Sequence, residues 1–147
     1  ENIGPRALNN ILNKKSGILG VSGVSSDMRE LTAAAKSGNK RAQLAFDMYN
    51  YMIKKYVGAY AAVLGGVDIL VFTGGVGENQ DETRQAICEN MEYMGLLLDV
   101  EKNKLIRGKE AVISASESKV KVMVVPTNEE LMIAMDTVEI LSQGRYQ

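Results

Sequence analysis

The sequence predicts an α/β fold, and three observations carry that reading. Residues 67–94 and 120–141 each run from an apolar strand through a turn into a helix, the pattern of parallel strands joined by helical crossovers. Residues 39–64 form one long amphipathic helix. The first 65 or so residues hold no convincing strand. Strands are therefore few for the helical mass, and part of the sheet is expected to lie outside this chain.

Taken in order, residues 1–13 read as a short helix with Leu8, Ile11 and Leu12 on one side and Pro5 near its start, where a missing amide is tolerated. Residues 13–27 carry four Ser and three Gly and read as a long loop. Asp27 then caps a helix through Ala33-Ala34-Ala35 that ends near Gly38. In the 39–64 helix, Leu44, Ala45, Met48, Met52, Ala59, Ala62 and Val63 form an apolar stripe, read with Tyr51 as core packing. Gly65-Gly66 stops it. Residues 67–73 are a buried strand entering a glycine-rich loop, Gly74-Gly75-Val76-Gly77-Glu78-Asn79. A helix from Gln80 to Met94 starts with Asp81 and Glu82, which the macrodipole favours there, and Gly95 closes it. Residues 96–99 read as a short strand, 100–108 as a charged turn, 111–114 and 120–125 as strands, and 128–141 as a last helix.

A chain of 147 residues is long enough for one domain with a sizeable core. Its net charge of −1 argues against a phosphate-driven nucleic-acid binder and against a polybasic membrane binder. Apolar runs such as Ile69–Phe72 are far too short to span a bilayer. The single cysteine, Cys88, excludes an intrachain disulfide and a CxxC redox pair, and fits a reducing, cytosolic compartment. With no His, the chain cannot hold a Ser-His-Asp triad, a Cys-His pair or an HExxH zinc site. Chemistry here rests on carboxylates, Lys, Arg, backbone amides and a hard metal such as Mg²⁺. The chain begins at Glu1 rather than Met, which reads as a processed or excised piece.

Three segments are candidates for that chemistry. The glycines of residues 74–79 let the backbone approach a ligand beyond the carboxyl end of a strand, where open α/β sheets bind ligands. The motif is neither Walker A nor GxGxxG, and a bare structural turn is an equal alternative. Asp81 and Glu82 would repel a triphosphate tail, so the loop suits a nucleoside with its first phosphate. In Asp27-Met28-Arg29, a carboxylate can take the two ribose hydroxyls and a guanidinium can stack on a base, the plain alternative being a helix cap and a solvated Arg. In Thr127-Asn128-Glu129-Glu130, carboxylates at a strand end offer hard ligands for Mg²⁺, the alternative being a capping box closed by Glu130.

Together and in this order, Asn13–Gly17, Gly20–Arg29, Val71–Asn79 and Val125–Leu131 resemble the acetate kinase family over nearly the whole chain. The resemblance implies a partial ribonuclease-H-like lobe of the actin-like ATPase superfamily, the C-terminal part of a second lobe, filling residues 1–147. It implies that Asp27, Met28 and Arg29 line an adenosine pocket, that Gly75, Val76, Gly77, Glu78 and Asn79 form a second nucleotide-contacting segment, and that Glu129 is a Mg²⁺ ligand. It further implies ATP/ADP and acetate as partners and a cytoplasmic homodimer. The family's catalytic Asp, transition-state His and Arg, and acetate-binding Arg would belong to a part not present here. Met52 and Met135 stand where the family often has Arg.

The leading expectation is a piece of an enzyme that transfers a phosphoryl group between ATP and acetate, inactive by itself. Propionate and butyrate are the alternative substrates. A second class of reading is a non-catalytic nucleotide-binding or dimerisation module.

Overall fold

The computed structural model describes residues 3–143, which divide into two compact units. The first comprises residues up to Val67 together with Gln85–Asn90, and the second Asp68–Arg84 together with the residues from Met91 onward.

The first unit is helical. Helix α1 (Pro5–Asn10) passes into one π-helical stretch, Ile11–Lys15, followed by α2 (Gly17–Ser22), α3 (Met28–Lys36) and α4 (Lys40–Leu64). The long loop expected over residues 13–27 is thus largely helix. Its Gly and Ser content disfavours a helix locally, but Ile18 and Val21 lie against α4, and packing overrides propensity. The caps follow the sequence: Asp27 accepts from the Arg29 amide, and Asn39 from the amides of Arg41 and Ala42. Helices α2 and α3 both pack on α4, whose buried residues are Ala42, Ala45 and Asn50. Arg41 Nε reaches the Val21 carbonyl at 2.9 Å and fastens α4 to the end of α2.

The apolar stripe of α4 departs from expectation. Leu44, Met48, Tyr51 and Met52 are exposed and Val63 is 83% exposed, so apart from buried Ala45 the stripe is largely not core in this chain. Met48, Met52 and Tyr56 instead line an open apolar groove with Ile18 and Val21.

The second unit carries a three-stranded mixed sheet of order β1-β3-β2. Strand β1 (Ile69–Phe72) pairs parallel with β3 (Lys121–Val124), Ile69 opposite Lys121 and Phe72 opposite Val124. Strand β2 (Ala111–Val112) pairs antiparallel with β3. The central strand buries Val122 and Val124 completely, as a strand flanked on both sides should. The edge strand β1 is less buried than expected: Ile69 and Val71 are about half exposed and Phe72 alone is buried.

Three further expectations change. Gly74–Asn79 is not a loop but a short helix, α5. The single helix expected to Met94 is α6 (Asp81–Cys88), then a turn and a 3₁₀ segment, Glu92–Met94. The charged turn at 100–108 is mostly helix α7 (Val100–Leu105), because Asp99 caps the Lys102 amide at 3.0 Å and Asn103 is buried at its centre. Residues 96–99 contribute only one bridge, Leu98 to Ser114. Helix α8 (Glu129–Ser142) starts where expected, with Asn128 as its cap.

Candidate functional site

Strands β1 and β3 are parallel, so their carboxyl ends lie side by side and their exits share one edge of the sheet. From β1 the chain turns at Gly74, whose φ of +70° favours glycine, into α5. Gly77 sits against the strand that precedes it: a Cβ there would lie 3.2 Å from the Phe72 carbonyl carbon, so a side chain would need the backbone to shift by a few tenths of an ångström. From β3 the chain runs through Pro126 and Thr127 into α8.

The two exits are joined. Glu78 Oε1 accepts from the Thr127 amide at 2.8 Å and from Thr127 Oγ1 at 3.0 Å. These bonds, the amide first, hold the Glu78 carboxyl below its ordinary range, with the Gly74 amide adding to the effect. Gly75, Glu78, Thr127, Asn128, Glu129 and Glu130 line a cleft of about 380 Å³. Five of these six offer side-chain oxygens. Asn128 Oδ1 is taken by the Leu131 amide at 3.1 Å, which is the expected cap, but Glu130 does not close a capping box. Asn79 donates to the Gly75 carbonyl at 3.0 Å and braces α5 internally.

The turn is also held from behind by a residue the sequence reading missed. Arg84 of α6 is fully buried. Its Nη1 reaches the Gly77 carbonyl at 2.8 Å, its Nε the Asn103 Oδ1 at 2.7 Å, and its Nη2 the carbonyls of Asn103 and Ile106 at 2.9 and 2.8 Å. Asn103 Nδ2 in turn donates to the Asp81 carbonyl at 2.9 Å. A signal was present. Gln80, Thr83, Arg84, Ile87 and Cys88 are all buried at the i, i+3, i+4, i+7, i+8 spacing of an inward face, and an arginine on such a stripe needs partners. Nothing local names them, because Asn103 is 19 residues away. The Asp81 carboxylate, expected to repel phosphates, lies 3.4 Å from the Arg107 guanidinium.

Asp27, Met28 and Arg29 belong to the first unit, Gly75–Asn79 and Glu129 to the second. Asp27 and Arg29 are paired with each other. Arg29 Nη2 lies 2.6 Å from Asp27 Oδ2, and Nε is 3.1 Å from Oδ1. That pairing, with the capping bond to the Arg29 amide, lowers the Asp27 pKa to about 2. Arg29 remains 85% exposed, with its guanidinium face open for stacking. Met28 is buried at the start of α3 alongside Leu31.

The donors of the cleft suit a hard cation. Among the described residues no three acidic side chains cluster into a metal cage. Glu129 and Glu130 fit the other common arrangement, in which one or two carboxylates hold Mg²⁺ and substrate phosphates and water complete the shell.

Comparison with known proteins decides the family. The profile of the Acetokinase family matches residues 1–135. The chain belongs to the acetokinase family. The acetate kinase of Bacteroides thetaiotaomicron is 62% identical over 143 residues, which are 97% of this chain and 36% of that protein. The crystal structure of Porphyromonas gingivalis acetate kinase superposes with a TM-score of 0.86 at 62% identity, covering 94% of this chain and 35% of that one. A propionate kinase from Francisella tularensis superposes with a TM-score of 0.78 at 38% identity, covering 89% and 33%. The acetokinase chain described here thus spans about a third of the length of the relatives it matches. Its fold is that of the acetate kinases, members of the actin-like ATPase fold, and its small mixed sheet and many helices agree with the α/β class read from sequence. Among the described residues, no helix is long and apolar enough to cross a membrane.

Proposed function

We propose that this chain is the C-terminal, nucleotide-binding portion of an acetate kinase, which transfers a phosphoryl group between ATP and acetate. An acetate oxygen bonds to the γ-phosphorus of ATP as the bond to the ADP oxygen breaks, giving acetyl phosphate and ADP. The observation that carries the reading is the cleft at the joined ends of β1 and β3, where Gly75 and Glu129 face one space.

Within that reading, Asp27, Met28 and Arg29 line the adenosine pocket. Asp27, ionised at any working pH, accepts from ribose hydroxyls, and Arg29 stacks on the base. Gly75, Val76, Gly77, Glu78 and Asn79 present the second nucleotide-contacting segment, held rigid by Arg84 and Thr127. Pre-set positioning of this kind is what phosphoryl transfer draws from a protein. Glu129 holds Mg²⁺, which when bound neutralises charge on the phosphate oxygens. The acyl-binding and acid-base residues lie outside this chain, so the chain alone is inactive.

The likeness to a propionate kinase favours propionate as the alternative acceptor, with butyrate next. The exposed apolar faces of α4 and α8 support a second role in assembly, a cytoplasmic homodimer among the options. The test is coupled-assay turnover of ATP by the full-length protein with acetate, propionate and butyrate. Acetate is expected to give the highest kcat/KM, and absence of turnover with all three would leave the non-catalytic module as the reading.

A further inference from the structure

We propose that Glu78 is a positioning residue, whose carboxylate sets the metal-binding Glu129 against the glycine-rich turn by gripping Thr127. The inference rests on the function proposed above.

The Glu78 carboxylate is turned on Thr127, with the Gly74 amide as a lesser neighbour. A single oxygen, Oε1, accepts both the amide and the hydroxyl of Thr127. The last ladder bond of the parallel pair is Val125 N–H to the Phe72 carbonyl, so beyond Val125 the sheet no longer guides the chain. Thr127 is the next anchored residue, and Asn128 follows it as the cap that aims the first turn of α8, where Glu129 stands. The grip on Thr127 therefore decides where Glu129 points.

Glu78 is itself immobilised. Its main-chain carbonyl accepts from the Gly108 amide at 3.2 Å, and the carbonyl before it, that of Gly77, accepts from buried Arg84. The result is an unbroken series of bonds from the buried guanidinium through α5 to the start of α8. With its carboxylate so engaged, and repelled by phosphates, Glu78 would meet a nucleotide through its main chain. An amide in its place keeps the acceptor oxygen and loses only the charge.

Comparing Glu78→Ala with Glu78→Gln in the full-length protein separates positioning from direct contact. In metal-free protein, the Thr127 amide is expected to exchange with deuterium at least tenfold faster in Glu78→Ala, a factor in line with losing a charge-assisted bond, and Glu78→Gln to recover most of that protection. Half-saturation by Mg²⁺ is expected to rise roughly tenfold in Glu78→Ala while kcat recovers in excess Mg²⁺. Glu78→Gln again restores most of the loss. Thr127→Val, which keeps the main-chain bond, shifts the same half-saturation by about threefold and covers the case in which Glu78→Ala does not fold. Equal losses in Glu78→Ala and Glu78→Gln would overturn the proposal in favour of direct contact through charge. An unchanged Mg²⁺ dependence in Thr127→Val, or in Glu78→Ala, would overturn it as well. A wild-type protein with no ATP turnover on acetate would instead sink the kinase reading, a failure visible before any variant is made.

Discussion

Arg84 and Asn103 bond to each other and to the backbone around them. The guanidinium takes the Asn103 side-chain oxygen at 2.7 Å and main-chain oxygen at 2.9 Å, while the Asn103 amide nitrogen closes back on the Asp81 carbonyl. Both residues are fully buried. The shape of the guanidinium matters here as much as its charge, since one planar fork serves four acceptors.

Arg84→Ala is therefore expected to destabilise the second unit by about 3–5 kcal/mol, because buried acceptors lose partners that water cannot replace. Arg84→Lys should recover little of this, having no fork. Urea denaturation of the full-length protein, followed by circular dichroism, checks both. A midpoint unchanged in Arg84→Ala would mean that the network contributes nothing net.

Glu129→Ala is expected to abolish most Mg²⁺-dependent turnover at limiting metal with little loss of stability, since Asn128 and not Glu129 caps α8. Asn128→Ala should do the reverse, costing about 0.5–2 kcal/mol. Activity titrated with Mg²⁺, alongside thermal melts, reads the pair. Full turnover by Glu129→Ala at limiting Mg²⁺ would reduce Glu129 to a helix-start residue.

Asp27→Ala is expected to weaken ADP binding by roughly tenfold or more, the cost of a lost charge-assisted hydrogen bond of about 1.5–3 kcal/mol. Calorimetric titration with ADP measures it, and an unchanged affinity would remove Asp27 from the site.

The Asp27 pKa of about 2 also makes a pH prediction. The folded value lies below the ordinary 3.8, so the carboxylate's contribution to stability is complete above the ordinary value and lost as pH falls towards 2. Arg29→Ala should move the midpoint back up, because the Arg29 side-chain bond is the largest cause of the shift. Carboxyl ¹³C shifts followed through an acid titration give both midpoints. A wild-type midpoint near 3.8 would contradict the pairing.

The chain as it stands, 147 residues, is expected not to phosphorylate acetate. Turnover at an enzymatic rate of about 1–10³ s⁻¹ with ATP, Mg²⁺ and acetate would show that the acceptor site is complete within it.

Much of this was legible in the sequence, for physical reasons that differ by element. The 39–64 helix, the strands at β1 and β3 and the last helix follow from periodicity and caps, which are local. The helix at Gly17–Ser22 was not legible, since α4 stabilises it from outside the segment. Neither was the exposure of Met48 and Met52: an apolar stripe says that something covers it, not that the cover belongs to the same chain. The glycine-rich turn stood out by its place at a strand end, and Glu129 was singled out from Glu130 by the family resemblance. The bonds that lock them, Glu78 to Thr127 and Arg84 to Asn103, join residues 49 and 19 apart and leave no local trace.

The 49-residue interval between Glu78 and Thr127 also sets a clock on synthesis. At about 5–20 residues per second, the ribosome delivers Thr127 roughly 2–10 s after Glu78. Through that interval β1 lacks its parallel neighbour and the glycine turn lacks its clasp, because both reside in the unfinished stretch. A nascent polypeptide halted before Thr127 carries every glycine of the turn and cannot fasten it. Premature termination in that stretch therefore removes the clasp and the parallel neighbour of β1 together.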